Sequence, residues 1–573
     1  MKQLSGIDAT FLYMETPETP MHVAGLTLYD PPKAMTGSFY EHFRTFFASR
    51  VHLIPIFGKK LARSVFDLDH PGWVDAGEID LDYHIRHARL PKPGTFAQLE
   101  AMIGDLHSVV LDRSRPLWQF TVIDGLADGR LALYSKVHHA AVDGGAGMVI
   151  TKALYDVTET PRDVGPAPAP KPKAAKPSME QRAIVGINDL MANMIRQHIT
   201  VVTAGAKLMG SLASALIPGA SKGEEKVPGA PAIPNLVPPK TPFNVTITGQ
   251  RSYAARSVPL DQAKFVAKAT GTKINDVVMA ICAGALRTYL LGKKKLPKTP
   301  LIAFVPISLR EAGNTDINNQ VFGMNCPLAT DIADPLERLL SIQKTSSTSK
   351  SMAGATKDAA PKDFTLIGAP MLLPGLMQLL GKSGLADMVP MGVNVVISNT
   401  QGPPFPLYCA GARVTALYPV SIPTHGVGLN LTVQSYMNAL DFGLTADRKA
   451  VPDVADLAEG LKPALDELVA AVKAKMPAGE AVSDAKAAPM AAASNGAAAT
   501  PAKAHPAKTG SKAAVAAKGG ASAAKAKAAK GKAQPTKTKP SAAKSAAAKT
   551  SAAKTSAAKA PAAKATRTRA TAR

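Results

Sequence analysis

Hydrophobic and polar side chains alternate along residues 131–137, LALYSKV, and this period of two predicts a strand. Successive side chains of a strand point to opposite faces, so Val137 shares one face with His139 while His138 lies on the other. A turn signal, Ala-Asp-Gly at 127–129, follows the earlier apolar run RPLWQFTVID. Together the two runs predict a hairpin whose second strand ends in two histidines.

Periods near 3.6 residues predict helices in both halves of the chain. A helix is expected after Ser5, and others are expected over residues 39–51, 96–110, 184–202 and 453–475. Strands are expected in the second half over residues 301–307, 392–398, 414–420, 428–436 and 439–446. Mixed sheets with helices in both halves predict an α+β fold built from two related domains.

Two Pro-rich stretches without periodicity, residues 164–178 and 227–242, separate these halves. The expected organisation is an N-terminal domain at 1–161, a linker with an amphipathic helix at 162–242, a C-terminal domain at 243–476 and a tail at 477–573. The linker helix is expected to pack on a domain rather than to lie on a membrane.

The second strand of the predicted hairpin runs into HHAAVDGG, residues 138–145. An imidazole titrates near neutral pH, so it can take a proton from a hydroxyl and return it within one turnover. Because strand neighbours face opposite ways, His138 and His139 cannot do the same work. Asp143 can orient a ring or pair with an arginine, and Gly144 leaves room for substrate. Two packed histidines are the alternative, but the whole spacing, with a strand before and a helix after, favours a base.

The HHxxxDG motif resembles that of the acyl-CoA-dependent acyltransferases of the chloramphenicol acetyltransferase-like superfamily. Other segments narrow the resemblance to the bacterial wax ester synthase/diacylglycerol acyltransferase family. They are LSGIDATFLYMETPETPMHVAGL from residue 4, FDLDHPGWVDAGEIDLDYHIRHARLPKPG from 66, RPLWQF from 115, NDVVMA from 275, VPISLR from 305 and SNTQGPPFPLYCAGA from 398. The likeness runs in order to about residue 476, and it implies two pseudo-symmetric domains with an active site in a tunnel between them.

The resemblance also implies roles for the residues of the first motif. His139 would be the general base that deprotonates an alcohol, which then attacks the acyl-CoA thioester without an acyl-enzyme. His138 would be structural, Asp143 a loop-fixing ion-pair partner and Gly144 a point of steric clearance. Acyl-CoA would be a substrate, and neither a cofactor nor a metal is expected.

Two further elements match the family. Asn275 and Asp276 match its second motif, where an amide near the thioester can stabilise the developing oxyanion. Its position and propensity favour the alternative, in which Asn275 caps the helix that follows it. The side chains of Pro116, Leu117 and Trp118 match the family's PLW element and are expected to form wall and packing.

Positive charge is concentrated in the tail. Residues 485–573 carry 16 Lys and 3 Arg with no Asp or Glu, which leaves +5 of the net +24 for the rest of the chain. Units such as SAAK and PAAK cannot bury enough surface to offset their ordering entropy, so disorder is expected. A polycation of this kind binds polyanions such as anionic phospholipid or DNA, although a solvated tail without one partner is an equal alternative.

Three scattered cysteines predict neither a disulfide framework nor a zinc site. The first residues lack the pattern of a signal peptide, and no uncharged run is long and unbroken enough for a spanning helix. The protein is therefore expected in the cytoplasm, peripheral on the inner face of the membrane or on lipid droplets.

The expected function is transfer of a long-chain acyl group from acyl-CoA to diacylglycerol, with long-chain alcohols as a second acceptor class. One alternative is a condensation-type enzyme that acts on carrier-protein thioesters. Another is a non-enzymatic lipid-granule or nucleoid protein that works through its polycationic tail.

Overall fold

The computed structural model describes residues 2–32, 35–62, 70–142, 144–168, 237–308, 321–356, 374–375, 378–379, 381–388 and 392–475. All of them lie in one compact unit, Met1–Ser483. Asp143, the predicted linker helix at 184–202 and the tail at 477–573 lie outside the described residues.

Helices and strands alternate irregularly along the described chain. The helices are α1 (Gly6–Met14), α2 (Phe39–Arg50), α3 (Leu81–His84), α4 (Phe96–Ser108), α5 (Gly144–Leu154), α6 (Leu260–Thr270), α7 (Ile274–Gly292), α8 (Pro335–Thr356), α9 (Leu385–Met388), α10 (Val454–Glu459) and α11 (Leu461–Lys475). The strands are β1 (Lys2–Gln3), β2 (His22–Asp30), β3 (Lys59–Ala62), β4 (Gly72–Asp75), β5 (Ile85–Arg89), β6 (Trp118–Asp124), β7 (Leu131–His138), β8 (Arg251–Pro259), β9 (Ile302–Ser308), β10 (Val321–Pro327), β11 (Val395–Thr400), β12 (Tyr408–Cys409), β13 (Ala412–Val420), β14 (Leu429–Tyr436) and β15 (Ala439–Asp447).

Two six-stranded sheets organise these elements. The first has the order β12-β13-β2-β7-β6-β5 and the second the order β10-β9-β11-β14-β15-β8, while β1, β4 and β3 form a small third sheet. Both large sheets are mixed, because β5 runs parallel to β6 and β11 runs parallel to both β9 and β14. The predicted α+β class with mixed sheets and helices in both halves is confirmed.

Local signals in the first half predicted its elements well. The hydroxyl of Ser5 accepts the backbone N–H of Asp8 at 3.1 Å and caps α1, as a serine before a helix favours. The predicted hairpin is β6 and β7, which pair antiparallel from Trp118 opposite Val137. The predicted helices at 39–51 and 96–110 are α2 and α4, each ending one or two residues early.

The second half differs from expectation in two ways. The single closing helix predicted over 453–475 is instead α10 followed by α11, divided at Gly460, a residue that costs a helix interior about 1 kcal/mol relative to alanine. Strand β13 pairs with β2 on one side and with β12 on the other, so both strands belong to the first sheet rather than to the sheet of β14 and β15. The first sheet therefore takes strands from beyond residue 243, and the division into domains at 1–161 and 243–476 stays a prediction.

The two large sheets contact each other through β13, and helix α4 covers an edge of the second. A Cβ on Gly443 of β15 would lie 1.7 Å from the carbonyl oxygen of Pro419 in β13, so only glycine permits this approach. Helix α4 covers β8, the last strand of the second sheet, where the carboxylate of Glu100 accepts the N–H of Ala255 at 2.7 Å and the hydroxyl of Ser108 accepts that of Arg251 at 2.9 Å. These bonds satisfy backbone donors that an edge strand leaves unpaired.

Helix α7 runs through the core of the second half. Among the described helices it alone is long and apolar enough to cross a membrane, but 67% of its most apolar stretch is buried inside the protein. Its side chains pack in one cluster with those of α10, α11, β14 and β15. Burial of this kind is what a core helix of a two-layer α+β fold requires.

Candidate active site

The alternation predicted for β7 is confirmed by how its side chains pack. Leu133 and Val137 belong to a core cluster with Trp118, whereas Tyr134 packs in a different cluster with Ile103 of α4. The strand ends one residue earlier than predicted, at His138, and a 3₁₀ turn, His139–Ala141, begins at once. The two histidines therefore belong to different elements.

The His138 side chain is fully buried and its two ring nitrogens have separate surroundings. Nδ1 accepts the N–H of Ala140 at 3.0 Å, which places the ring proton on Nε2 of a neutral imidazole. Nε2 lies 3.1 Å from Oε2 of Glu15, whose side chain is only 5% exposed. The backbone N–H of His138 donates to the carbonyl of Leu117. Both ends of this ring are thus held by the protein itself.

Glu15 connects several parts of the site. Besides facing His138, its carboxylate accepts the N–H of Met21 at 3.1 Å and the Nε–H of Arg113 at 3.0 Å. Burial raises the pKa of Glu15, but the contacts with His138 and Arg113 and the N–H of Met21 outweigh this effect and lower the pKa below its ordinary value. Glu15 is therefore an anion at neutral pH.

His139 is half-buried and lies against helix α1. Its ring stacks on Phe11 with the ring centroids 3.9 Å apart and the planes 11° from parallel. Its backbone N–H donates to the carbonyl of Met21 at 2.9 Å. An imidazole that is held in this way and still partly exposed has the two properties that a general base requires, a fixed position and access to a reactant.

The PLW element lies directly beneath the histidines. Pro116, Leu117 and Trp118 are all buried. Leu117 packs with Leu12 and Ala140 in the cluster that supports α1 and the 3₁₀ turn. The indole N–H of Trp118 donates to the carbonyl of Phe57 at 3.0 Å, and its ring stacks between Phe57 and His84. The contacts of these three residues are packing contacts.

The rest of the first motif is only partly described. Asp143 lies outside the described residues, so its expected role as a loop-fixing partner stays a prediction. Gly144 is the first residue of α5, the helix that the sequence predicted after the motif. Steric clearance by Gly144 also stays a prediction.

The second motif lies at the start of α7. The alternative that Asn275 caps this helix is wrong, because Lys273 precedes the first helical residue and Asp276 supplies the cap. The Asp276 carboxylate accepts the N–H of Lys273 at 3.0 Å and the hydroxyl of Ser346 at 2.8 Å. Both of its oxygens are engaged and it is 5% exposed. A carboxylate held like this fixes the end of a helix and has no hydrogen to donate to an oxyanion.

Asn275 is left half-buried beside this anchored carboxylate. Its Oδ1 accepts Nδ2–H of Asn399 from β11 at 3.4 Å. This long bond orients the amide so that its own N–H groups point away from Asn399. The hydrogen bonds of Asn275 and Asp276 run within the second half of the chain, to Asn399, Lys273 and Ser346.

A polar network is buried behind β7, on the face opposite to the Val137 cluster. The ammonium of Lys136 donates to the carbonyls of Leu106 and Val109 at 3.0 and 2.8 Å, and burial lowers its pKa to about 8 although Glu15 opposes the shift. His107 bonds to the hydroxyl of Tyr134 at 2.8 Å and to the carbonyl of Ser421 at 2.9 Å. These groups connect α4 and β13 to the strand that carries the histidines.

Cysteine chemistry does not contribute to the site. The three thiols, Cys282, Cys326 and Cys409, are free and buried. Burial raises the pKa of Cys282 and Cys409 to about 12 and that of Cys326 to about 11, so they are poor nucleophiles. Within the part of the chain that the structure describes, no group of three His, Cys, Asp or Glu side chains could hold a metal ion.

Sequence reasoning missed Phe11 and Glu15 as residues of the site. Phe11 lies on α1 and Glu15 is the C-cap residue of that helix, and both contact the histidine pair. The helix start at Ser5 could be predicted from the sequence. The contacts of Phe11 and Glu15 with the histidines join residues more than 120 positions apart, and such contacts leave no local signal in the sequence.

Comparison with protein families gives two matches that together cover most of the described chain. Residues 4–278 match the catalytic domain of wax ester synthase/diacylglycerol acyltransferase, and residues 317–469 match the C-terminal domain of the same family. The first range contains both histidines, the PLW element and the start of α7.

Individual relatives support the same match. A Mycobacterium tuberculosis H37Rv protein with the provisional name diacylglycerol O-acyltransferase Rv3740c is 36% identical over 82% of this chain and 100% of its own length. A second protein of that strain, provisionally named diacylglycerol O-acyltransferase tgs2, is 34% identical over 81% of this chain and 98% of its own. Among solved structures, a wax ester synthase/diacylglycerol acyltransferase from Marinobacter aquaeolei VT8 aligns with a TM-score of 0.59 at 29% identity, covering 82% of this chain and all of that one.

Proposed function

Because the chain belongs to the wax ester synthase/diacylglycerol acyltransferase family, we propose that it transfers an acyl group from acyl-CoA to the free hydroxyl of diacylglycerol. The products are triacylglycerol and CoA. The names of its relatives support this activity, and the family match does not favour action on carrier-protein thioesters. Acyl-CoA is consumed as a substrate, and the proposal requires no cofactor.

In the proposed mechanism His139 acts as the general base. Its imidazole takes the proton of the acceptor hydroxyl while the oxygen attacks the thioester carbonyl. The tetrahedral intermediate collapses, the C–S bond breaks, and the imidazolium returns its proton to the departing thiolate of CoA. One base serves both proton transfers, so no acyl-enzyme forms if both substrates are held within its reach.

The observation that carries this assignment is the difference between the two histidines. His138 is buried, with Nδ1 bonded to Ala140 and Nε2 facing Glu15, whereas His139 is half-buried and held by its backbone and by Phe11. Only His139 combines a fixed position with exposure, which supports it as the residue that meets the acceptor.

The amide of Asn275 is proposed to stabilise the oxyanion. Its Oδ1 accepts from Asn399, so its N–H groups are available on the other side of the amide. An N–H donor placed where negative charge develops is worth about 10²–10³-fold in rate.

A competition assay tests the proposed reaction and its acceptor. The purified full chain is incubated with labelled palmitoyl-CoA and an equimolar mixture of diacylglycerol and hexadecanol. Labelled triacylglycerol is expected as the main product, with wax ester second. Wax ester in excess would make a long-chain alcohol the first acceptor, and no ester with either would reject the proposal.

We further propose that the basic tail binds the protein to an anionic lipid surface, where its lipid substrates reside. The support is the charge of residues 485–573, which carry 19 cationic side chains and no anionic one. Full-length protein is expected to float with vesicles that contain anionic phospholipid and to leave them as salt rises, because screening weakens multivalent attraction. A chain truncated at residue 484 is the control. Flotation that ignores salt, or binding to duplex DNA in preference to the vesicles, would contradict this proposal.

A further inference from the structure

Helix α1 and the residue that ends it contact both histidines of the candidate site. Phe11 lies on α1, and Glu15 is its C-cap residue, four positions further along the chain. Phe11 stacks on His139 and Glu15 faces His138. His138, the last residue of β7, and His139, the residue after it, are therefore both held by α1 and its C-cap residue, from a distant part of the chain.

The Glu15 carboxylate reaches His139 by a second, indirect route. It accepts the N–H of Met21 at 3.1 Å, and the carbonyl of the same Met21 accepts the N–H of His139 at 2.9 Å. Oε1 of Glu15 is bonded to Arg113, which leaves the carboxylate with little freedom to rotate. A displacement of Glu15 would move the backbone of Met21 and, through its carbonyl, the backbone of His139.

Phe11 restrains the imidazole ring itself. A centroid distance of 3.9 Å with planes 11° apart is a close parallel contact, so the His139 ring can rotate about its Cβ–Cγ bond only if it loses that contact. Stacking covers one face of the ring and fixes the plane in which its nitrogen atoms lie.

We propose that Phe11 and Glu15 are positioning residues for the general base: Phe11 fixes the plane of the His139 ring, and Glu15 fixes its backbone through Met21 and His138. This inference rests on the proposed function, since a positioned base matters only if His139 is the base. Neither residue touches the reacting atoms. A misplacement of about 1 Å in a positioned group can cost about 10²-fold in rate, which makes such residues detectable by kinetics.

Phe11→Leu tests the stacking contact, and Phe11→Tyr is its matched control. Leucine retains apolar packing on the small core that includes Leu12 and Leu117 but has no ring face, whereas tyrosine retains the ring. Phe11→Leu is expected to lower kcat about tenfold with an unchanged KM for both substrates, and Phe11→Tyr is expected to restore most of the lost rate. Equal kcat values for Phe11→Leu and the wild type would overturn the role of Phe11.

Glu15→Gln tests the second contact. Glutamine keeps the size of the side chain and one acceptor oxygen but removes the negative charge that faces His138 and Arg113. The variant is expected to lower kcat about tenfold or more, and the acid limb of the kcat–pH profile is expected to move to lower pH because an anion near the imidazolium is lost. An unchanged kcat and profile would overturn the role of Glu15. Should Glu15→Gln fail to fold, Phe11→Leu still decides the inference.

The same assay separates this inference from the proposed function. If His139→Ala abolishes ester formation while Phe11→Leu and Glu15→Gln retain wild-type kcat, His139 is the base and α1 does not position it. If His139→Ala is fully active, the assignment of the base itself fails. Thermal unfolding of each variant shows whether a loss of rate is only a loss of folded protein.

Discussion

The two sequence motifs, one in each half of the chain, have the same arrangement. At the end of β7, His138 is buried and held at both ring nitrogens, while His139 is half-buried. At the start of α7, Asp276 is buried with both oxygens engaged, while Asn275 is half-buried. Each motif therefore joins one buried, anchored side chain to one half-buried side chain, although one motif lies at a strand end and the other in the first turn of a helix.

The adjacent polar residues of each motif have different surroundings for a geometric reason. Consecutive side chains point about 180° apart on a strand and about 100° apart on a helix, so neighbours in either element enter different surroundings. The anchored neighbour fixes the backbone within one residue of the working group. The half-buried side chain gains its position from the buried bonds of its neighbour.

The largest expected effect is the contrast between His139→Ala and His138→Ala. His139→Ala is expected to reduce kcat about a thousandfold, as loss of a general base does, with an unchanged unfolding midpoint. His138→Ala is expected to lower the free energy of unfolding by about 2–4 kcal/mol, because it orphans the N–H of Ala140 and weakens the surroundings of a buried carboxylate. Ester formation and urea unfolding of both variants measure this contrast. A stable, inactive His138→Ala beside an active His139→Ala would reverse the two roles.

The second motif is expected to respond in the same way but less strongly. Asn275→Ala is expected to lower kcat about 10²-fold without loss of stability, since an oxyanion donor is removed from a half-buried position. Asp276→Ala is expected to destabilise the protein by about 1–2 kcal/mol through loss of the helix cap and of the bond to Ser346. Kinetics at saturating acyl-CoA and urea unfolding distinguish the two results. If Asn275→Ala retains wild-type kcat, the amide has no role in the reaction, and the two motifs resemble each other in structure alone.

How far the sequence predicted this arrangement depended on the range of each interaction. The cap at Ser5, the β6–β7 hairpin and the opposite faces of β7 follow from residues close together in the chain, and all were predicted. The cap of α7 was assigned to Asn275, because asparagine has a high N-cap propensity. That propensity does not indicate which of two neighbouring polar side chains will accept a backbone N–H at the helix start.

Long-range contacts had no comparable signal. The pairing of β13 with β2 joins residues almost 400 positions apart, and a strand pattern does not indicate which sheet the strand will enter. The contact of Glu15 with His138 is of the same kind. The structure alone shows these two contacts, and both stabilise the position of the first motif.

The two large sheets contact each other where β13 lies against β15, and Asp441 tests that contact. This carboxylate, on β15, is 1% exposed; it accepts the N–H of Leu417 in β13 at 2.8 Å and the hydroxyl of Ser257 in β8 at 2.6 Å. Burial raises its pKa from 3.8 to about 6, although the two hydrogen bonds oppose the shift.

The sign of this shift makes Asp441 a source of instability at neutral pH. Below pH 4 the group is protonated in both states and has no effect; between pH 4 and 6 the unfolded chain releases the proton first, so stability falls as pH rises, by about 3 kcal/mol at most. Asp441→Asn keeps an acceptor and a donor but cannot ionise, so it is expected to abolish that decline and to be the more stable protein at pH 7. Urea unfolding of both proteins from pH 4 to 7 measures the difference between the curves. Parallel curves would mean that Asp441 ionises in the folded protein as readily as in the unfolded chain, and that the contact between β13 and β15 tolerates a charge that its burial should exclude.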